Sequence, residues 1–240
     1  MKLRNYFKIT LLTLAATTLV QAADNKFSSS DSVTININNG NSDLETYVLE
    51  SKNTYQTDKR AYSLDAKYSY GKSSEEVTLD NWSALIGVEQ VISKKLSAFF
   101  KQEFESDLVA NIKFRTNSDI GLKYYFLKTD KNNLNFDIGY RYTSEEKSFS
   151  SDKESFNKGK VRITYKTNID KKVKVETFYE YLPNFTESDD YQMNASVSLI
   201  TKTISFLSIK TSLDWKFDNK PAENQKKDDT ALNLSFIADF

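Results

Sequence analysis

The sequence predicts an all-β fold, a transmembrane antiparallel up-and-down β-barrel of about twelve strands, and three observations carry that expectation. Apolar residues recur at every second position in segment after segment. In 134–142, Leu134, Phe136, Ile138, Tyr140 and Tyr142 alternate with Asn135, Asp137, Gly139 and Arg141. The same alternation runs through Tyr62–Tyr70, Ile120–Phe126, Tyr191–Leu199 and Leu213–Phe217. A two-residue period puts one face of a strand in an apolar medium and the other in a polar one. Beyond residue 22 nothing approaches the ~18 consecutive apolar residues of a transmembrane helix. Finally, 30 of the 240 residues are Phe or Tyr, although only 39 % are hydrophobic, a mixture that suits half-polar strands better than a packed globular core.

The first 22 residues stand apart. Lys2, Arg4 and Lys8 form a basic start, Ile9 to Leu19 is an apolar run, and Val20-Gln21-Ala22 offers small side chains for cleavage. This pattern predicts a secretory signal peptide over 1–22, followed by one barrel domain over 23–240. A membrane anchor is the weaker alternative, because so short a run falls below the ~20 residues that span a bilayer as a helix. Its removal leaves 30 basic against 33 acidic side chains, a formal charge of −3.

The expected strands are 32–38, 43–56, 60–71, 75–90, 94–106, 109–127, 133–143, 159–167, 171–182, 190–200, 203–218 and 229–240. Their number is even, and their lengths cluster near or above the ~9–11 residues that a tilted strand needs to cross a bilayer. Counted back from a periplasmic C-terminus, the inner turns fall at Gln56–Arg60, Ser93-Lys94, Lys128–Asn132, Asn168–Lys171 and Thr201–Thr203, all short. The outer connections include the polar stretches Ser144–Lys158, Pro183–Asp190 and Asp218–Asp228, and they hold both prolines, Pro183 and Pro221. The outer connections near Gly40 and Ser106 are short exceptions.

On this topology two aromatic rims are expected, because ring edges stay wet at a membrane interface. Tyr68, Tyr70, Trp82, Tyr140, Tyr142, Tyr179, Tyr181, Tyr191 and Trp215 form the outer one, and Tyr62, Tyr124, Phe126 and Phe240 the inner one. A soluble sandwich that buries the same rings is the competing fold, since alternation alone does not separate core from lipid. Leu234, Phe236 and the terminal Phe240 look like the β-signal read by the barrel assembly machinery, which that resemblance implies as a partner.

The run Phe104-Glu105-Ser106-Asp107-Leu108-Val109-Ala110-Asn111-Ile112-Lys113-Phe114-Arg115, continued by Ser118-Asp119-Ile120-Gly121-Leu122-Lys123-Tyr124, resembles the central strand pair of a domain-of-unknown-function family of salt-induced outer-membrane proteins. Asn39-Gly40-Asn41-Ser42 resembles its first turn and Trp215–Phe240 its closing hairpin. The resemblance implies a monomeric outer-membrane barrel, in contact with lipid and lipopolysaccharide, with a link to salt or envelope stress. It carries no catalytic residues.

Function is therefore read from the lumen. Twelve cations are expected to face inward, among them Lys95, Lys101, Lys113, Arg115, Lys123, Arg141 and Arg162, against eight anions including Glu103, Asp137 and Glu176. If these charges pair across the lumen the barrel is plugged and acts as a structural or surface-binding element. If cations line one wall it is a narrow, weakly anion-selective pore. The lack of His and Cys removes imidazole-based catalysis and the usual zinc sites, and no nucleophile–base constellation suggests an enzyme. The acidic groups at Glu145-Glu146, Asp152-Glu154 and Asp189-Asp190 lack EF-hand spacing and read as solvated loops. No cofactor motif is present, and a chain without a basic patch is not expected to bind nucleic acid.

Overall fold

The computed structural model describes residues 26–38, 44–73, 76–149, 153–221 and 226–240, so the expected signal peptide and the Asn39–Ser42 turn lie outside the described residues. Twelve antiparallel strands follow one another in chain order. They are β1 (Lys26–Asn38), β2 (Leu44–Gln56), β3 (Arg60–Ser73), β4 (Glu76–Val91), β5 (Leu96–Asp107), β6 (Ile112–Lys128), β7 (Asn132–Lys147), β8 (Lys153–Asn168), β9 (Val173–Pro183), β10 (Tyr191–Lys202), β11 (Leu207–Asp218) and β12 (Asp228–Asp239). Each pairs with its neighbours and β12 returns to β1, which closes the barrel.

The five turns at the end holding the C-terminus are short, and small polar side chains pin them. Asp170 Oδ1 accepts from the backbone N–H groups of Lys172 and Val173 at 2.7 and 2.8 Å, and Thr129 Oγ1 accepts from Asn132 N–H at 2.9 Å. Those backbone donors hold the Asp170 carboxyl below its ordinary pKa. At the other end Asn111 takes a positive φ of 61°, a conformation Asn tolerates better than most residues, and its Oδ1 accepts from Ser148 N–H.

Apolar side chains point outward along every strand. Ile120 is 60 % exposed and Phe236 53 %, while the inward Asp119 and Thr143 are 3 % and 2 % exposed. A soluble sandwich would bury the former and wet the latter. The rims are present as ring contacts: Trp82–Phe114, Tyr181–Tyr191 and Trp215–Phe217 at the outer end, Tyr55–Tyr62 and Tyr124–Phe126 at the inner.

Several boundaries differ from expectation. The stretch expected as the loop Ser144–Lys158 is mostly hairpin, since Thr143–Glu146 of β7 pair with Lys153–Phe156 of β8. It stands above the apolar belt, so both faces are polar and the two-residue period vanishes. The expected turn Thr201–Thr203 is instead 203–206, with Thr201 and Lys202 paired to Ile209 and Ser208. Lys95, expected in the lumen, sits in the turn before β5. Lys113 also leaves the lumen: a register shift between Ile112 and Phe114 turns it out to pair with Glu146 at 2.5 Å.

β1 begins six residues earlier than the apolar pattern suggests, because its start is rich in serine. This produces a polar notch on the lipid face. Ser29 Oγ donates to Asn53 Oδ1 at 3.0 Å, Asn53 Nδ2 donates to Ser51 Oγ at 3.1 Å, and Asp31, opposite Ser51 and Ala238, has a buried Oδ1 with no hydrogen-bond partner. Asp31 shares a register level with Ala66, midway between Tyr62 and Tyr70 of the two rims. A carboxylate at that depth is costly, so Asp31→Val is expected to stabilise the barrel by about 1–2 kcal/mol. Urea unfolding in lipid bilayers checks this, and a lowered midpoint would refute it.

Candidate functional site

Inward side chains of β4–β9 build three tiers of ion pairs along one side of the lumen. In the outer tier, Arg115 donates through Nε and Nη2 to Glu145 at 2.7 and 2.5 Å and through Nη1 to Glu105 at 3.0 Å. Asn117 donates to Glu103 at 3.2 Å and accepts from Thr143 Oγ1 at 2.8 Å. In the central tier, Arg141 forks onto Asp119 at 2.6 and 2.9 Å, and Lys160 Nζ reaches Asp119 at 2.5 Å and Glu180 at 3.4 Å. Arg162 pairs with Glu180 at 3.4 Å and lies 3.7 Å from the centre of the Phe178 ring. In the inner tier, Glu89 accepts from Lys123 at 2.6 Å and from Tyr125 at 2.7 Å, and Glu176 pairs with Lys166 and Lys174. The strand period explains the stacking, because residues two apart return to the same face one level lower.

Each of these pairs lies within one strand or joins strands that are neighbours or separated by a single strand. Among the described residues no ion pair runs from this side to the wall opposite. The charges therefore hug the wall that carries them. Two glycines help: Gly121 and Gly139 face each other in the β6–β7 register, and the Phe99 ring lies against Gly121, where a Cβ would come within 2.6 Å of Phe99 Cζ.

The opposite wall is built of small hydroxyl side chains. Ser196 and Ser198 on β10, Ser208 and Ser212 on β11, Ser235 on β12 and Thr34 on β1 all face inward and are buried. Thr34 and Ser235 share a 2.6 Å hydrogen bond, and Asp214 is held by Ser196, Ser212 and Asn233. Lys67, Lys210 and Lys216 project on this side and make no ion pair among the described residues. A cavity of about 530 Å³ occupies the outer mouth, between Glu103, Glu105, Arg115 and Arg141 on one side and Gln192, Asn194 and Lys216 on the other. Above it Lys220 ties two outer loops together, at 3.1 Å from Glu187 and 2.9 Å from Asp189. The Lys220 ammonium holds the Asp189 carboxyl below its ordinary pKa.

The description of a family of proteins of unknown function, DUF481, matches residues 32–240, nearly the whole closed barrel. The chain belongs to the DUF481 family. The fold of this DUF481 member is that of outer-membrane barrels and porins. It is similar to an outer-membrane channel from Pseudomonas putida F1, with a TM-score of 0.54, 12 % identity, and 92 % of this chain and 100 % of that one covered. It is also similar to the NanC porin, with a TM-score of 0.52, 8 % identity, and 89 % and 98 % covered. No curated protein sequence matches it.

The DUF481 barrel brings most of the expected lumenal residues together. Arg115, Arg141, Arg162, Lys123, Glu103 and Glu176 all enter the tiers. Two do not. Asp137 faces Arg162 in the β7–β8 register, yet Arg162 turns to Glu180 and leaves Asp137 Oδ1 buried without a partner. Lys101 lies over the Phe99 ring at 5.6 Å and makes no ion pair among the described residues. The centre of the network, Asp119 with Lys160, is absent from the sequence-based expectation, as are Glu105 and Glu145. Parity was the available signal: Asp119 shares a face with Arg115 and Lys123, and Lys160 with Arg162. Leu234, Phe236 and Phe240 all face outward, and Phe240 exchanges two backbone hydrogen bonds with Ser29.

Proposed function

We propose that this protein is a narrow passive pore for small ions and solutes with a preference for anions. The observation that carries the reading is the asymmetry of the lumen: the three tiers of ion pairs stay within the β4–β9 wall, whereas the hydroxyl-lined side holds the Lys52–Glu50 pair and leaves Lys67, Lys210 and Lys216 outside any described ion pair. Barrels of ~8 strands are filled by their own side chains and those of ~16–18 leave an aqueous channel, so at twelve strands the placement of long side chains decides the outcome. Here they are folded back against the wall that bears them. Water then follows the hydroxyl-lined side where Lys67 and Lys216 stand exposed, and Lys67, Lys210 and Lys216, outside any described ion pair, set the sign of the potential.

Resemblance to salt-induced outer-membrane proteins adds a role under salt or envelope stress to this proposal. Physical chemistry supplies a connection. The reach of the lysine charges falls from about 10 Å at 0.1 M salt to about 3 Å at 1 M, so anion preference weakens as ionic strength rises. The proposal also includes export by the segment 1–22, assembly through the terminal strand by the barrel assembly machinery, and a monomer surrounded by lipid and lipopolysaccharide.

Conductance in planar bilayers tests the reading. The wild-type protein is expected to give discrete steps, with a reversal potential in a KCl gradient that reports chloride preference. Lys67→Glu/Lys216→Glu is expected to reverse its sign. A second reading, a closed envelope barrel acting through its outer loops, draws on the Lys220 bridge between those loops. It requires that no conductance be seen, and that outcome would overturn the pore.

A further inference from the structure

The β1–β12 seam has the shortest ladder in the barrel, with five register pairs that end at Thr34–Ser235. Above that point, among the described residues, residues 35–38 have strand partners only in β2, and residues 228–234 only in β11. The unpaired stretch lies at membrane depth. Leu232 stands opposite the lipid-facing Leu213, and Trp215, two residues higher on β11, belongs to the outer rim. Leu232 is 71 % exposed, against 52 % for Leu213 beside it. Lipid cannot satisfy backbone polar groups, so an unpaired edge at this depth is tolerated where water reaches it from inside.

The inner side of this gap carries cations. Lys210 faces Ser235 in register and Lys216 faces Asp229, and neither makes an ion pair among the described residues. The nearest inward carboxylate on the same strand, Asp214, is already hydrogen-bonded by Ser196, Ser212 and Asn233. The outer side is apolar, with Ile35 on β1 and Leu232 and Leu234 on β12. One gap thus joins a greasy outer lip to an interior where Lys210 and Lys216 offer ammonium groups outside any described ion pair, beside Asp214 and Asp229.

We propose that the outer half of the β1–β12 seam is a lateral port that binds a single-chain anionic amphiphile. Its tail lies between Ile35 and Leu232–Leu234, and its head group enters the lumen to meet Lys210 and Lys216. This rests on the lumen being open to water, as the pore reading holds. Charge complementarity selects this occupant over the edge strand of a second copy, which would pair the backbone but leave the lysines unused.

The test uses the full mature chain in lipid nanodiscs and a fatty acid carrying a terminal diazirine, with cross-links mapped by mass spectrometry. Saturable labelling concentrated on the peptides holding Ile35 and Leu232–Leu234, displaced by laurate but not by lauryl alcohol, is the expected result. Lys210→Gln should weaken displacement by laurate about tenfold, the loss expected when a charge-assisted contact is removed. Because the chain has no native cysteine, an Ile35→Cys/Leu234→Cys disulfide can draw the seam shut, which should suppress labelling while channel conductance persists. Labelling spread evenly around the lipid belt, equal displacement by the alcohol, or cross-linking of two protein copies through these edges would overturn the port. A barrel that conducts but fails these tests loses the port alone. One that does not conduct loses the pore.

Discussion

Replacing Asp119 by Leu is expected to lower the unfolding free energy by about 3–5 kcal/mol, the cost of breaking a buried ion pair by removing one partner. Asp119 is 3 % exposed and accepts from both prongs of Arg141 and from Lys160. Its loss strands two cations in a lumen tier where only Glu103, at 4.0 Å from Arg141, and Glu180, at 3.4 Å from Lys160, remain to balance them. Urea unfolding in detergent, together with the temperature at which gel mobility shifts on heating, measures the effect. The same variant should strengthen anion preference in bilayers, because it frees positive charge. Unchanged stability would show that water already screens this tier and that the pairs contribute little.

Gly121→Val is the second large expectation. A Cβ at this position meets the Ile138 carbonyl oxygen and approaches Gly139 Cα to 2.8 Å. Both are backbone atoms of the paired strand, which cannot rotate away as a side chain can. The third neighbour, Phe99 Cζ at 2.6 Å, can move, but only into the passage. Destabilisation of about 3 kcal/mol is expected from such overpacking, together with reduced single-channel conductance as the ring swings inward. Gly121→Val/Phe99→Ala should recover conductance while keeping most of the stability loss. Wild-type conductance in the single variant would refute the placement of Phe99 beside the path.

How much of this was legible beforehand depends on where apolar alternation survives. Within the membrane belt, Leu134–Tyr142 and Tyr191–Leu199 announce their strands and their faces, since lipid on one side and water on the other impose the two-residue period. Above the belt, Ser144–Lys147 meets water on both faces, and the strand continues with no hydrophobic trace. At the start of β1 the sequence Lys26-Phe27-Ser28-Ser29-Ser30-Asp31 hides a strand because its lipid face is itself polar. In the lumen, parity put Arg115, Arg141 and Arg162 on the inward face, where each makes an ion pair. Partner choice was not readable, because Arg162 has Asp137 opposite it and Glu180 on its other side, and only three-dimensional crowding decides between them. Lys113 fell to a bulge, a one-residue irregularity that no periodic pattern marks.

The hydroxyl bond between Thr34 and Ser235 joins residues 201 positions apart. Every other ladder links strands that are consecutive in the chain and can zip as soon as both exist. This one waits for β12. Loop-closure entropy and high contact order make such a junction the slowest to form, so the nascent molecule passes through an open curved sheet with two free edges, one begun at Lys26 and the other finished at Phe240. A chain truncated within β12 before Ser235 would keep the ladders from β1 to β11 and never become a cylinder.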